Sequence, residues 1–217
     1  MKDILAWLRD TLWPNRCIAC DEIGEALCSP CRERIPSAPD VRRLADGTRA
    51  ISGGPLAHPL LAQAVWRLKY RSLTALAGPL ACWLADAVAQ TPEALQHTKK
   101  NAVVVPVPLH PSRFRERGYN QAELIARAWA HITALPCDAT ALTRTRNTGS
   151  QVATADRGER LENMRDAFAC NKPAAIRGRA VMLVDDVCTT GATLQACARA
   201  LRAAGARSVT ALTVARG

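Results

Sequence analysis

The sequence predicts an α/β fold, a parallel sheet flanked by helices, with a small four-cysteine zinc-binding unit at its N-terminus. Three observations predict it. Residues 181–193 read V-M-L-V-D-D-V-C-T-T-G-A-T, four apolar residues running into two acids and then a turn rich in hydroxyls. Such an apolar run reads as a strand buried on both faces, as in a parallel sheet. The strand expected over 180–184, the helix over 193–204 and the strand over 208–214 make a βαβ unit, which crosses over right-handed. Finally, Cys17, Cys20, Cys28 and Cys31 form two C-x-x-C pairs seven residues apart, the ligand spacing of a closed, structural zinc site.

Taken in order, the chain opens with Ile4, Leu5, Leu8, Leu12 and Trp13 at helical spacing, stopped by Pro14. The cysteine knuckle follows over 15–36, with Gly24 and Pro30 suited to its turns; it is too small and polar to fold without metal. Residues 37–58, rich in Pro, Asp, Arg and Gly, read as a linker with one short strand near 49–52. Residues 60–71 form a helix with Leu61, Val65 and Leu68 on one face. A second helix over 73–90 carries Leu76, Leu80, Trp83, Leu84 and Val88. The tryptophans of these helices read as core. Residues 101–107 are a buried strand that Pro106 and Pro108 stop from pairing. A basic loop follows, containing Arg113, Arg115 and Arg117 and ending at Gly118, and then a helix marked by Ala122, Ile125, Ala126 and Trp129. Short strands are expected at 139–142 and 167–169. Between them, 144–165 is long and polar and reads as a surface loop or a lid. Leu194, Cys197 and Leu201 face inward on the last helix, and Gly205 stops it.

Length and charge bound the rest. The 217 residues suit one sizeable domain, 49–217, with an N-terminal appendage over 1–48. The net charge of +10 is uneven: residues 1–100 carry +3 and residues 101–217 carry +7. The excess sits in the half that holds the 181–193 stretch, and such a surface attracts polyanions. The odd total of nine cysteines, with tight pairs, argues against a secreted disulfide framework. Charges within the first thirteen residues leave no signal peptide, and no apolar run is long enough to span a bilayer. A cytoplasmic protein is expected.

At the C-terminal edge of the strand, Asp185 and Asp186 suit hydroxyls or a magnesium ion. Thr189, Thr190, Gly191, Ala192 and Thr193 offer hydroxyls and free amides at a helix N-terminus, where an anion is stabilised. This stretch closely resembles the phosphoribosyl pyrophosphate (PRPP) signature of type I phosphoribosyltransferases. Further motifs narrow the resemblance to the ComF family: the four-cysteine knuckle, Leu68-Lys69-Tyr70, Pro106-Val107-Pro108, Arg117-Gly118-Tyr119-Asn120-Gln121, Gln151, Arg160 with Asn163, and Phe168.

The resemblance implies a type I phosphoribosyltransferase-like domain that binds PRPP with magnesium, in a setting of DNA uptake and natural transformation. Asp185 and Asp186 would take the ribose hydroxyls and serve as the catalytic pair. Residues 189–193 would cradle the 5-phosphate, and the segment 107–117, through Arg113 and Arg117, would hold pyrophosphate. Residues 145–165 would be the lid. Whether the sugar is transferred, and to what, stays open, because nothing in the knuckle or the helices over 60–90 reads as a nucleobase pocket. The alternative is a non-enzymatic protein of transformation that reuses the fold, either binding single-stranded DNA or docking a helicase or recombination protein.

Overall fold

The computed structural model of the chain describes residues 14–91, 101–145 and 167–217. The helix expected over 3–13 and nearly all of the 145–165 segment, with Gln151, Arg160 and Asn163, lie outside the described residues.

A five-stranded sheet forms the centre. Its strands are β1 (Asp40–Arg43), β2 (Arg49–Pro55), β3 (Ala102–Pro106), β6 (Ala180–Cys188) and β7 (Ser208–Arg216), in the spatial order β1-β2-β7-β6-β3. All pairs are parallel except β1 with β2. A separate antiparallel pair, β4 (Leu142–Arg144) and β5 (Phe168–Cys170), stands apart from it. The helices are α1 (Ser29–Glu33), α2 (Pro59–Tyr70), α3 (Ala77–Ala89), α4 (Pro111–Arg117), α5 (Gln121–Thr133), α6 (Pro173–Ile176) and α7 (Ala192–Ala203).

The strand pleat sorts the core onto two faces. Val104, Met182, Val184, Leu212 and Val214 pack with α2, α3, α5 and the cysteine unit. Val103, Val105, Val181, Leu183 and Ala211 pack with α7, β4 and β5. Successive side chains on a strand point to opposite faces, so a run such as 102–105 is apolar throughout because both faces are covered. The cysteine unit is not a free appendage in packing terms. Cys17, Leu27, Cys31 and Ile35 are buried in the same cluster as Leu80 and Leu84 of α3.

Four local expectations are corrected. Residues 37–58 are not a linker: 40–43 and 49–55 are a β-hairpin that builds the edge of the main sheet. Asp46 closes its turn by accepting from the amide and the hydroxyl of Thr48, at 3.0 and 2.8 Å. Arg202 of α7 then fastens the turn through Asp46 (3.0 Å) and the Thr48 hydroxyl (2.6 Å). Polar composition there reflects the exposed edge of a hairpin, which the apolar period could not reveal. The glycines of β2 have a packing reason: a Cβ on Gly53 would lie 2.6 Å from Trp83 Nε1, where the indole donates to the Val214 carbonyl at 3.4 Å.

The basic segment after β3 is mostly helix. Pro111 occupies the first turn of α4, His110 Nδ1 accepts from the Ser112 amide at 3.2 Å, and Gly118 ends the helix at φ 82°. Proline near the start and left-handed glycine past the end bracket a helix, and the alternating arginines obscured that signal. The strand expected at 139–142 forms instead at 142–144, pairing with β5. The strand expected to end at Val184 runs on to Cys188, because β7 continues to pair with it through Cys188↔Arg216.

Candidate functional site

The site grows from the point where β6 loses one neighbour. β3 pairs with β6 only as far as Pro106↔Val184, since a prolyl nitrogen cannot donate to the ladder. The Val107 amide makes a last bond to the Val184 carbonyl at 2.8 Å, and the chain then leaves the sheet. Asp185 and Asp186 are the next two residues. They lie within a strand, with β7 on one side and an opened edge on the other.

The pleat separates the two carboxylates. Asp186 turns to the α2 face, where its Oδ1 meets Lys69 Nζ at 2.9 Å; the two side chains are 5% and 21% exposed. Asp186 Oδ2 is buried without a hydrogen-bond partner among the described residues. Asp185 turns to the α7 face and shares that region with Arg144 and Cys197. Its Oδ1 accepts from the Asp186 amide at 2.8 Å. Burial, and then the charge of Asp186, push the Asp185 carboxyl up to about 8, against the pull of Lys69 and Arg144. Burial in turn lowers Arg144, whose guanidinium lies 5.5 Å from the Phe168 ring.

Asp185 shares a small concavity of about 30 Å³ with Thr189, Thr190, Gly191, Ala192 and Thr193. Gly191 caps α7 at φ 77° and has no side chain to bond the helix amides, and the Thr190 hydroxyl accepts from the Ala192 amide only at 3.4 Å. The first amides of α7 and the threonine hydroxyls therefore converge on a turn where negative charge is favoured. The turn is held from behind by the β1–β2 hairpin. Arg42 Nη2 donates to Cys188 Sγ at 3.1 Å and to the Thr189 carbonyl at 3.3 Å. A Cβ on Gly191 would sit 2.8 Å from Leu44 Cδ2.

The two arginines expected near pyrophosphate part company. Arg113 pairs with Glu116 at 2.9 Å on the exposed side of α4. Arg117 reaches toward α2: it donates to Gln121 Oε1 and lies over the Tyr70 ring at 5.3 Å. The Tyr119 hydroxyl donates to the Leu68 carbonyl, so the 117–121 motif and the 68–70 motif lock together.

Lys69, Arg42, Leu44 and Arg144 were not assigned to the site from the sequence. Lys69 had a signal in the Leu68-Lys69-Tyr70 motif. Arg42 and Leu44 had none, since both sit in what reads as a linker. Trp66 is also corrected: it is 47% exposed and not core, because it falls off the Leu61–Val65–Leu68 stripe.

At the other end of the chain, Cys17, Cys20, Cys28 and Cys31 bring their sulfurs within 4.8 Å of one another and could hold a metal ion such as zinc. A tetrahedron with Zn–S bonds of about 2.3 Å has sulfurs ~3.8 Å apart. Cys20 Sγ and Cys28 Sγ stand 3.7 Å apart.

The phosphoribosyl transferase domain family matches residues 120–217. The DNA utilization protein YhgH of Salmonella typhimurium is 33% identical over 153 residues, covering 70% of this chain and 65% of that protein. Competence protein F of Haemophilus influenzae is 32% identical over 114 residues, 52% of this chain and 49% of that one. Competence protein ComFC of Bacillus subtilis is 36% identical over 118 residues, 54% and 45%. The chain thus spans between 45% and 65% of the length of these relatives. Among solved structures, the allosteric regulatory enzyme of purine biosynthesis aligns at TM-score 0.39 and 22% identity, covering 60% of this chain and 24% of that one. Phosphoribosylpyrophosphate synthetase from Mycobacterium smegmatis aligns at TM-score 0.38 and 12% identity, covering 81% and 71%. With its matched phosphoribosyl transferase domain, its four-cysteine cluster and these relatives, the chain is similar to the competence proteins F and ComFC and carries a phosphoribosyltransferase-like fold.

Proposed function

We propose that the chain binds PRPP at the end of β6 and acts in DNA uptake, a role in keeping with relatives named as competence and DNA utilization proteins. The observation that carries the reading is the convergence of Asp185 with the glycine-capped, hydroxyl-lined turn 189–193 in one concavity. The 5-phosphate would rest on residues 189–193. Asp185 and Asp186 would face the ribose hydroxyls and magnesium, and the buried, unpartnered Oδ2 of Asp186 is an acceptor that suits such a contact. Magnesium would supply charge to the pyrophosphate. Arg117 is the better placed of the two arginines to serve it, because its contacts with Gln121 and Tyr70 leave its charge unneutralised, whereas Arg113 is paired with the Glu116 carboxylate. In transfer, the bond from the anomeric carbon to pyrophosphate breaks, its electron pair leaves on pyrophosphate, and an acceptor lone pair forms the new bond. Fixed donors and cations stabilise the charge on the leaving group.

The four cysteines would bind zinc structurally and tie the knuckle over 15–36 to the α/β domain; the protein would work in the cytoplasm. Calorimetric titration of PRPP with magnesium is the test. Binding that disappears in Asp185→Ala with Asp186→Ala supports the reading, and an affinity equal to wild type in that variant refutes it. The +7 charge of residues 101–217 favours, as a second reading, direct binding of single-stranded DNA with or without a helicase or recombination partner. Such binding weakens steeply as salt rises, and no binding at low salt would dismiss it.

A further inference from the structure

The face of α2 turned away from its core stripe lines an open groove of about 860 Å³, within the range of small-molecule sites. Trp66 and Tyr70, one helical turn apart, supply its aromatic wall. They are 47% and 60% exposed, with ring centroids 6.1 Å apart and planes tilted by 47°. Arg71 covers the Trp66 ring at 5.2 Å and Arg117 the Tyr70 ring at 5.3 Å, contacts that hold both rings in place. The opposite wall comes from Val187 and Thr189. Val187 and Thr189 also line the concavity that Asp185 shares with residues 189–193, so groove and concavity adjoin there.

The charge of the groove has one sign. Lys69 and Arg67 line it, and no carboxylate does among the described residues. Lys69 is committed to Asp186. The Arg67 guanidinium makes no hydrogen bond or ion pair among the described residues. A ligand that fills this groove therefore meets an aromatic wall and one cation awaiting an anion.

We propose that the groove is the acceptor site and that the acceptor is a planar aromatic acid carrying a nucleophilic nitrogen. Its ring lies against Trp66, its anionic group pairs with Arg67, and its nitrogen faces the Val187 end, toward the anomeric carbon. The assignment rests on the PRPP reading above. The nitrogen lone pair forms the bond to the anomeric carbon, the bond to pyrophosphate breaks with its pair leaving on pyrophosphate, and the nitrogen's proton passes to solvent. A neutral ring leaves Arg67 unanswered, and a cationic ring is repelled by it.

The test titrates the full chain with 2-aminobenzoate and with aniline, which has the same ring and amine without the carboxylate. Charge-assisted pairing predicts that the acid binds at least about tenfold more tightly than aniline, and that R67Q removes that advantage while leaving aniline unchanged. Loss of the stacking wall in W66A weakens both ligands about tenfold. Trp66 and Arg67 are surface positions, and PRPP titrated in parallel reports on the neighbouring site. Equal affinity for acid and aniline, or an acid affinity that R67Q does not change, overturns the groove proposal while PRPP binding still stands. Acid binding that depends on Arg67 in a chain that fails to bind PRPP upholds the anionic groove and refutes the PRPP reading.

Discussion

Replacing Lys69 by Met tests the electrostatics that hold β6 to α2. The substitution keeps most of the aliphatic stem and removes the ammonium. At 2.9 Å and an effective dielectric of about 20, the Coulomb attraction between Lys69 and Asp186 is ~6 kcal/mol in gross terms. Desolvation of both groups opposes it. The measurable quantity is the cost of stranding one partner, which for buried pairs is about 3–5 kcal/mol. Lys69 keeps 21% exposure, which argues for the low end, ~3 kcal/mol. Among the described residues Asp186 has no second partner at Oδ2, so none of them compensates the stranded carboxylate. D186N strands the more exposed partner, which water can still reach, and should cost less, about 1–2 kcal/mol. In a domain of this size 3 kcal/mol corresponds to a fall in Tm of about 6–12 °C. Urea unfolding of wild type, K69M, D186N and K69M/D186N gives the coupling directly, and about 2 kcal/mol is expected. A K69M loss below about 1 kcal/mol, or additive single variants, would refute the argument that this pair is a buried, mutually dependent contact.

Three further outcomes are expected. Asp185 titrates at about 8 in the folded chain against an ordinary value of 3.8, so its folded state holds the proton more tightly. The stability this contributes is full below the unfolded value and is lost as pH rises through about 8; the Tm of D185N should therefore gain on wild type as pH rises from about 5 to 9, and a constant gap would contradict the shift. Gly191→Ala adds a Cβ at φ 77°, 2.8 Å from the flexible Leu44 side chain, and should cost about 1–2 kcal/mol with weaker PRPP binding; a stability equal to wild type in urea would show that the turn does not need glycine. Metal analysis should find one zinc per chain, and chelation should unfold the chain at lower temperature because Cys17 and Cys31 pack within the core of α3; protein prepared without zinc that melts at the same temperature would count against a structural metal.

Much of the site is local and therefore legible in residues. The strand–turn–helix over 181–193 declares itself because an apolar run, two acids and a hydroxyl-rich turn are contiguous. The cysteine cluster declares itself because a tetrahedral metal dictates close spacing. The helix over 60–71 and its core stripe follow from period alone. The hairpin over 40–55 did not, since its outer strand β1 is an edge without an apolar pattern and β7, the partner of its inner strand β2, lies at the far end of the chain. The helix over 111–117 was hidden behind alternating arginines, although Pro111 and Gly118 mark its ends.

Residue identity alone specifies which chemistry is present: paired acids, an anion-binding turn, four thiols and an aromatic-basic end to α2. Tertiary structure decided how those groups are divided. The pleat of β6 sends Asp185 toward α7 and Asp186 toward Lys69. The order β1-β2-β7-β6-β3 brings Arg42 and Leu44 against the 189–193 turn. The phase of α2 turns Trp66 outward beside Val187 and Thr189. Each is a contact between elements distant in sequence, and only the packing of the sheet brings those elements together.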